Sequence, residues 1–281
     1  MAAGKLINLV ALASLAVLGT SLVFKPVKAH RGILQRELNN NSVVGDSSHL
    51  ASSNTLSNDA IGSGKVCLAW SNGEDPALAN FVTDFAGILY TWSPNLPTDL
   101  HGYIGVPMLW GLDQVNDFDR LVKPGYANWV LGMNEPDQAG QSNMSPQDAA
   151  ALWQQHIQPL ASQGYQLVSP ACTSDPRSKQ WMKDFFSACA GCTFDAIAVH
   201  YYDTSADGLI AYLEDFHNTF GKPIWLTEFA CQNFNGGTQC SVEEVQQFMS
   251  TTIDFMDSTD WVQQYCWFGQ PRFLFLIVPE V

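Results

Sequence analysis

Basic side chains are scarce in this sequence. Only 13 Lys and Arg residues stand against 27 Asp and Glu residues, which gives a net charge of −14 at pH 7 and a pI near 4.5. Because such a chain repels phosphate backbones, we do not expect it to bind nucleic acid. Charged residues of either sign make up 14% of the chain and hydrophobic residues 46%, which predicts a folded globular protein.

Several motifs of other enzyme classes are also missing. The chain has no HExxH zinc motif, no GxSxG nucleophile motif and no Cys/His spacing typical of a metal site. A Gly-rich stretch at 62–65 resembles a phosphate-binding loop, but it lacks the full spacing and precedes a predicted strand instead of a helix. We therefore predict no metal and no cofactor, and the acidic composition suits a neutral ligand.

Long apolar runs are confined to the N-terminal region. Residues 7–23 are mostly apolar and follow Lys5, and a candidate cleavage site lies at 27–29, so we predict a signal peptide over residues 1–29. An uncleaved membrane anchor is the alternative, because the run is nearly long enough to span a bilayer. Residues 30–64 are rich in Ser, Asn and Gly and are predicted to be a disordered linker. This organisation predicts a secreted protein of the extracellular space or cell wall.

The chain contains seven cysteines, which in a secreted protein favour disulfides. Cys189 and Cys192 have the spacing of a redox motif, but we expect a structural bridge or another pairing rather than catalysis. Cys231 and Cys240 bracket a Gly-rich loop that a disulfide between them could close. Because seven is odd, at least one thiol stays free or pairs outside the chain.

From residue 65 onward, short apolar runs alternate with segments of helical periodicity, which is typical of a parallel sheet with crossover helices. The predicted strands are 66–69, 87–90, 104–109, 129–133, 166–168, 196–199, 224–226 and 264–267. Eight such strands predict a single-domain α/β fold, a (β/α)8 TIM barrel over residues 65–269. An open doubly wound sheet is the alternative, although it usually carries a Gly-rich phosphate turn.

Chemically useful side chains follow these strands. In barrel enzymes the active site lies at the carboxyl ends of the strands. Glu135 follows the fourth strand and Glu228 the seventh, and His200 and Tyr202 follow the sixth. Glycoside hydrolysis needs one carboxylic acid to protonate the leaving oxygen and a second carboxylate at the anomeric carbon. We therefore predict that Glu135 and Glu228 flank a bound sugar.

Five segments of the chain form a combined signature. They are Leu-Gly-Met-Asn-Glu-Pro-Asp at 131–137, Cys-Ala-Gly-Cys at 189–192, Val-His-Tyr-Tyr at 199–202, Trp-Leu-Thr-Glu-Phe at 225–229 and Trp-Phe-Gly at 267–269. Together these segments resemble glycoside hydrolase family 128, in its fungal alkali-sensitive-linkage-like members. The resemblance covers residues 65–269. It implies a retaining β-1,3-glucanase that cuts internally, in cell-wall glucan turnover.

The resemblance also implies roles for single residues. Glu135 would be the general acid/base and Glu228 the nucleophile, with their carboxyl groups about 5–5.5 Å apart. Asn134 would bind the sugar 2-hydroxyl, and His200 and Tyr202 would orient Glu228 or the substrate. Three tryptophans would stack on sugar faces: Trp70, Trp110 and Trp267.

Two other functions stay open from the sequence. One is a wall-associated glucan-binding protein with little turnover, and the other is a different retaining β-glycanase, such as a mannanase or cellulase. The expected partner in each case is a polysaccharide or oligosaccharide, and we expect a monomer. Residues 270–281 form an atypical tail, short and apolar, in place of the final helix of the family. A barrel without that helix would leave core exposed, so we expect this form to be poorly stable.

Overall fold

The computed structural model describes residues 64–268. The predicted signal peptide at 1–29, the predicted linker up to residue 63 and the tail at 270–281 lie outside the described residues. None of the helices within 64–268 is long and apolar enough to cross a membrane.

All eight predicted strands are present in the described residues. They are β1 (Val66–Ala69), β2 (Ala86–Tyr90), β3 (Ile104–Gly105), β4 (Trp129–Leu131), β5 (Gln166–Val168), β6 (Ile197–Asp203), β7 (Ile224–Cys231) and β8 (Val262–Trp267). The α-helices are α1 (Val115–Leu121), α2 (Pro146–Leu152), α3 (Ser178–Ala188), α4 (Ala206–Phe220) and α5 (Val242–Ser258). β6 and β7 continue beyond the predicted ends, and these extensions carry the candidate site.

Every strand pair is parallel, which confirms the α/β class and the parallel sheet. Six strands form one sheet in the order β3-β2-β1-β8-β7-β6, and β4 pairs with β5 in a second sheet. Single parallel bridges join Met108 to Leu131 and Val168 to Ala196, between the two sheets. The ladders are thus interrupted at two places, where β3, β4 and β5 are only two or three residues long. The paired strands do not form one continuous closed sheet.

Side chains on each strand alternate between two layers, as the pleat of a strand requires. Side chains from one face of the strands form one buried cluster, which includes Cys67, Ile88, Tyr90, Leu131 and Trp225. The other face packs against the helices; there, for example, Leu213 of α4 is buried together with Leu226 of β7. Each fully buried large apolar side chain contributes about 1.5–3 kcal/mol to folding.

The helical periodicity of the sequence is realised with one exception. α4 buries Leu209, Leu213 and Phe216, which recur at helical spacing in the sequence. Residues 149–160 have apolar side chains at helical spacing in the sequence, but the segment is α-helical only as far as Leu152 and continues as a π segment and a 3-10 segment. Pro159 lies in the first turn of the 3-10 segment, and a proline has no backbone N–H to continue an α-helical ladder.

Three disulfides are present in the described residues. Cys189–Cys192 and Cys231–Cys240 confirm the two bridges suggested by spacing. Cys67–Cys266 joins β1 to β8, whose ladder places these two residues directly opposite each other. Cys172 is the buried free thiol that the odd cysteine count predicts.

Candidate active site

Glu135 stands directly after β4 on an unusual backbone. Its φ of 42° lies in the left-handed region, which residues other than glycine seldom adopt. The Glu135 N–H donates to the carbonyl of Ala171 at 2.7 Å, which ties this turn to the loop after β5. The residue is 8% exposed, so a carboxylate is held on a strained and buried turn. Strained backbone of this kind is concentrated at functional sites.

Glu228 lies within β7 and not after it. The β6–β7 ladder places Glu228 opposite His200, after a one-residue irregularity next to Val199. Two neutral donors hold the carboxylate. The Trp92 indole N–H donates to Oε1 at 2.7 Å, and the Tyr202 hydroxyl donates to Oε2 at 2.5 Å. Both oxygens of Glu228 are therefore fixed in direction.

His200 connects the two carboxylates. It is fully buried, with Nδ1 2.9 Å from Oε1 of Glu135 and Nε2 3.5 Å from Oε1 of Glu228. One oxygen of each carboxylate and one ring nitrogen all lie within 4.8 Å of one another. The structure thus brings together Glu135, Glu228, His200 and Tyr202, four of the residues that the sequence nominates.

The electrostatics of this cluster favour binding of a proton. Burial, together with the nearby Glu135, raises the pKa of Glu228, and the opposing effects of His200, Tyr202 and Trp92 only partly offset this. Burial disfavours the charged form of His200, but Glu228 and Glu135 outweigh it and raise the pKa of the imidazole. Burial and the charge of Glu228 raise the pKa of Tyr202 well above its usual value, so its hydroxyl stays protonated and donates. The site therefore keeps a proton to higher pH than isolated groups would.

Glu135, His200 and Glu228 together offer enough donor atoms to coordinate a cation. Two carboxylate oxygens and one imidazole nitrogen are a donor set that divalent metals accept. However, the N–H of Trp92 and the O–H of Tyr202 already point at the oxygens of Glu228. Each oxygen of Glu228 thus already accepts one hydrogen bond from a neutral donor.

Asn134 lies beside Glu135 and is 3% exposed. Its side-chain N–H donates to Oε1 of Gln141 at 3.2 Å, which fixes the amide. Its Oδ1 is buried and has no hydrogen-bond partner within residues 64–268. Since an unpaired buried acceptor is costly, this oxygen is available to a hydroxyl group of a ligand.

Two of the three tryptophans expected to stack on sugar rings pack against other apolar side chains: Trp70 is buried in the core, and Trp267 is half-buried beside it. Trp70 is 2% exposed, packs against Phe81 and donates its indole N–H to the carbonyl of Gly73. The Trp267 ring packs against Phe229 and Phe248 beside the helices. The expectation is therefore corrected for both: strand alternation points these residues away from the face that bears the site.

Trp110 has a different position. It is half-buried, packs against the inner strand cluster, and accepts the backbone N–H of Asn134 at 3.0 Å through its carbonyl. Its backbone therefore helps to place the Asn134–Glu135 turn. A sugar-stacking role for its ring stays a prediction.

Two aromatic residues without a predicted role lie at the site, Trp92 and Phe268. Trp92 binds Glu228, and the Phe268 ring lies 5.9 Å from the Trp92 ring and 5.6 Å from that of Tyr202. Strand alternation was the signal that could have found them. Trp92 stands two residues after Tyr90 of the inner cluster, and Phe268 two residues after Cys266 of that cluster.

Comparison with known proteins adds independent information. Residues 67–274 match the family described as glycosyl hydrolase catalytic core. Alkali-sensitive linkage protein 1 of Schizosaccharomyces pombe is 32% identical over 211 residues, which are 74% of this chain and 39% of that protein. The chain thus spans about two fifths of the length of this curated relative.

Solved structures of family 128 have the same fold. An exo-β-1,3-glucanase of subgroup V from Cryptococcus neoformans is 31% identical with a TM-score of 0.64, over 74% of this chain and 86% of that one. An oligosaccharide-binding protein of subgroup VII from the same organism is 28% identical with a TM-score of 0.67, over 79% and 89%. The sequence motifs, the paired carboxylates and these matches agree: the chain belongs to glycoside hydrolase family 128.

Proposed function

We propose that this protein is a retaining glycoside hydrolase that cleaves β-1,3-glucan. The observation that carries the proposal is the pair of buried carboxylates, Glu135 and Glu228, whose nearest ligand-capable oxygens lie within 4.8 Å. Retaining glycosidases hold their two carboxyl groups about 5–5.5 Å apart, whereas inverting enzymes separate them by about 6.5–9.5 Å to admit a water molecule. The close spacing supports retention.

We propose that the strands complete a (β/α)8 barrel. All pairs of the described strands are parallel, and isolated bridges span the two gaps between the sheets. One joins the segment after β3 to β4, and two join β5 and the segment after it to β6 and the residue before it. In that arrangement each strand has a neighbour on both sides. The candidate site would then lie at the carboxyl ends of the strands, as in other barrel enzymes.

Glu228 is proposed as the nucleophile. Trp92 and Tyr202 direct its two oxygens, so one of them can be aimed at the anomeric carbon. Burial makes the ionised carboxylate less stable than in water, and formation of the glycosyl ester removes that charge. The environment therefore favours the step from carboxylate to covalent intermediate.

Glu135 is proposed as the general acid/base. It would protonate the leaving oxygen in the first step and take a proton from water in the second. The hydrogen bond to Nδ1 of His200 fixes the position of one carboxylate oxygen. The free Oδ1 of Asn134 would accept a sugar hydroxyl, which supports the implied contact to the 2-hydroxyl. All these groups come from one chain, and a monomeric state stays a prediction.

The alternative, a glucan-binding protein with little turnover, is favoured by one observation. A family 128 structure with a TM-score of 0.67 belongs to an oligosaccharide-binding protein. A third possibility, a mannanase or cellulase, would use the same carboxylate pair. The presence of both carboxylates in hydrogen-bonded positions leads us to prefer the β-1,3-glucanase.

The test is release of reducing ends from linear β-1,3-glucan, compared with mannan, xylan and cellulose, by the full chain and a Glu228→Gln control. We expect release from β-1,3-glucan alone, and its loss in the control. Glucan binding without release would favour the binding protein, and release from mannan or cellulose would favour another glycanase. NMR of the first anomer formed tests retention, since an inverted product would contradict the spacing argument.

Two finer points belong to the same proposal. Product sizes distinguish internal cleavage, as implied by the sequence, from release of single sugars at a chain end.

An extracellular or wall location is supported by the three disulfides, which persist in oxidising compartments. Localisation of a tagged full chain would test it.

A further inference from the structure

Phe234 is the most exposed large hydrophobic side chain among the described residues. It is 68% exposed and lies on the loop between β7 and α5. β7 carries Glu228, so this loop leaves the strand on the side of the candidate active site. An apolar ring that faces water beside a site is a candidate contact for a ligand.

The Phe234 ring ends a row of aromatic side chains that surrounds Glu228. Its centroid lies 5.0 Å from that of Tyr202, which lies 5.6 Å from Phe268, which lies 5.9 Å from Trp92. Trp92 and Tyr202 are the two donors to Glu228. The row therefore runs without interruption from the proposed nucleophile to an exposed ring at the rim.

The loop that carries Phe234 is braced on both sides of the ring. The Cys231–Cys240 disulfide closes it at its base. Within it, Gln239 accepts the backbone N–H of Asn233 at 2.9 Å and donates to the Asn233 carbonyl at 2.6 Å. The backbone next to Phe234 is thus held in place while the side chain stays open. Such preorganisation lowers the entropic cost of binding.

We propose that Phe234 is a sugar-binding platform for a β-linked gluco-oligosaccharide, positioned by the Cys231–Cys240 disulfide. The inference rests on the proposed function, because it assigns a further part of the same glucan site. A glucopyranose ring has an apolar C–H face, and an exposed phenyl ring can cover that face and remove both surfaces from water. Phe234 would bind the chain next to the bond that Glu135 and Glu228 cleave.

The experiment compares the full chain with Phe234→Ala, Phe234→Trp and Phe85→Ala on linear β-1,3-gluco-oligosaccharides. Phe85 is the matched control, since it is 59% exposed but precedes β2 and so lies at the opposite end of the strands. Phe234→Ala should raise KM and the calorimetric Kd by about three- to tenfold with a smaller change in kcat. Phe234→Trp should keep both constants near those of the parent, because it retains an aromatic face. Phe85→Ala should also match the parent.

The outcomes separate this inference from the proposed function. Unchanged KM and Kd in Phe234→Ala, with the parent active, would overturn the platform alone. Binding by the parent without turnover would overturn the catalytic proposal and leave Kd as the test of the platform. A parent that neither binds nor cleaves these sugars would overturn both.

A second variant tests the disulfide. Cys231→Ser/Cys240→Ser should raise KM about as much as Phe234→Ala, and adding Phe234→Ala to it should have little further effect, because both changes remove the same contact. Parent-like KM in the disulfide variant would show that the bridge does not position the platform.

Discussion

Replacing Tyr202 by Phe deletes one hydroxyl that donates to Oε2 of Glu228 at 2.5 Å. A hydrogen bond to a charged group contributes about 1.5–3 kcal/mol, which corresponds to about a ten- to hundredfold preference for the ionised carboxylate. The site is buried, so solvent does not screen this loss. Without the donor, the pKa of Glu228, already raised by burial, should rise further.

The sign of the effect on activity follows from the proposed role of Glu228 as the nucleophile. A nucleophile must be ionised, so the acidic limb of kcat/KM against pH should move to higher pH in Tyr202→Phe. Activity should fall most at low pH and recover in part as pH rises above the new pKa. The assay is kcat/KM for a soluble β-1,3-gluco-oligosaccharide at closely spaced pH values.

Tyr201→Phe is the matched control. The Tyr201 hydroxyl donates to the carbonyl of Ser205 at 3.2 Å, on the helix side of β6. Its removal should cost about 1 kcal/mol of stability and leave the pH profile unchanged. An acidic limb that stays in place in Tyr202→Phe, or that moves equally in Tyr201→Phe, would refute the argument.

Three further predictions concern other groups. Glu135→Gln should lower kcat about 10²–10⁴-fold on natural glucan and less on aryl glucosides, whose leaving groups need no proton; equal loss on both would contradict the acid role. Because the folded-state pKa of His200 is raised, its contribution to stability should be present at low pH and decline as pH rises above about 6.5. The free energy of unfolding in urea should therefore fall with rising pH in this range, and His200→Gln should make that fall smaller. The same pH dependence in both proteins would contradict this. Cys67→Ala/Cys266→Ala should lower the free energy of unfolding by about 2–5 kcal/mol. The loss should exceed that from removing the 189–192 bridge, because the Cys67–Cys266 bridge constrains a sequence separation of 199 residues in the unfolded chain and the other only 3. The reverse order in urea unfolding would contradict the chain-entropy account.

The α/β class with parallel strands could be predicted from local sequence pattern, and Glu135 and Glu228 could be nominated from it. Short apolar runs have a strand period, and eight of them predicted the eight parallel strands at nearly correct positions. Glu135 and Glu228 could be nominated because polar residues directly after or within such runs collect at one edge of a parallel sheet. Both inferences depend only on the order of apolar and polar residues within short segments of the chain.

The tertiary structure alone decided the face on which each aromatic residue lies. Trp267 and Phe268 are adjacent in sequence, yet one packs against Phe229 and the other against Tyr202. A shift of one residue in a strand reverses the direction of the side chain, and the strand ends were uncertain by several residues. Trp70 was misassigned for the same reason.

Contacts between strands that are distant in the chain could not be predicted from the sequence either. The irregularity next to Val199 places His200 opposite Glu228 in the β6–β7 ladder, whereas the contact of His200 with Glu135 depends on where the turn after β4 lies. Cys67 meets Cys266 only because β1 and β8 are neighbours although 199 residues separate the two thiols. Local pattern contains no information on such pairings, since they depend on how the strands assemble. That assembly brings oxygens of the two nominated carboxylates within 4.8 Å of each other.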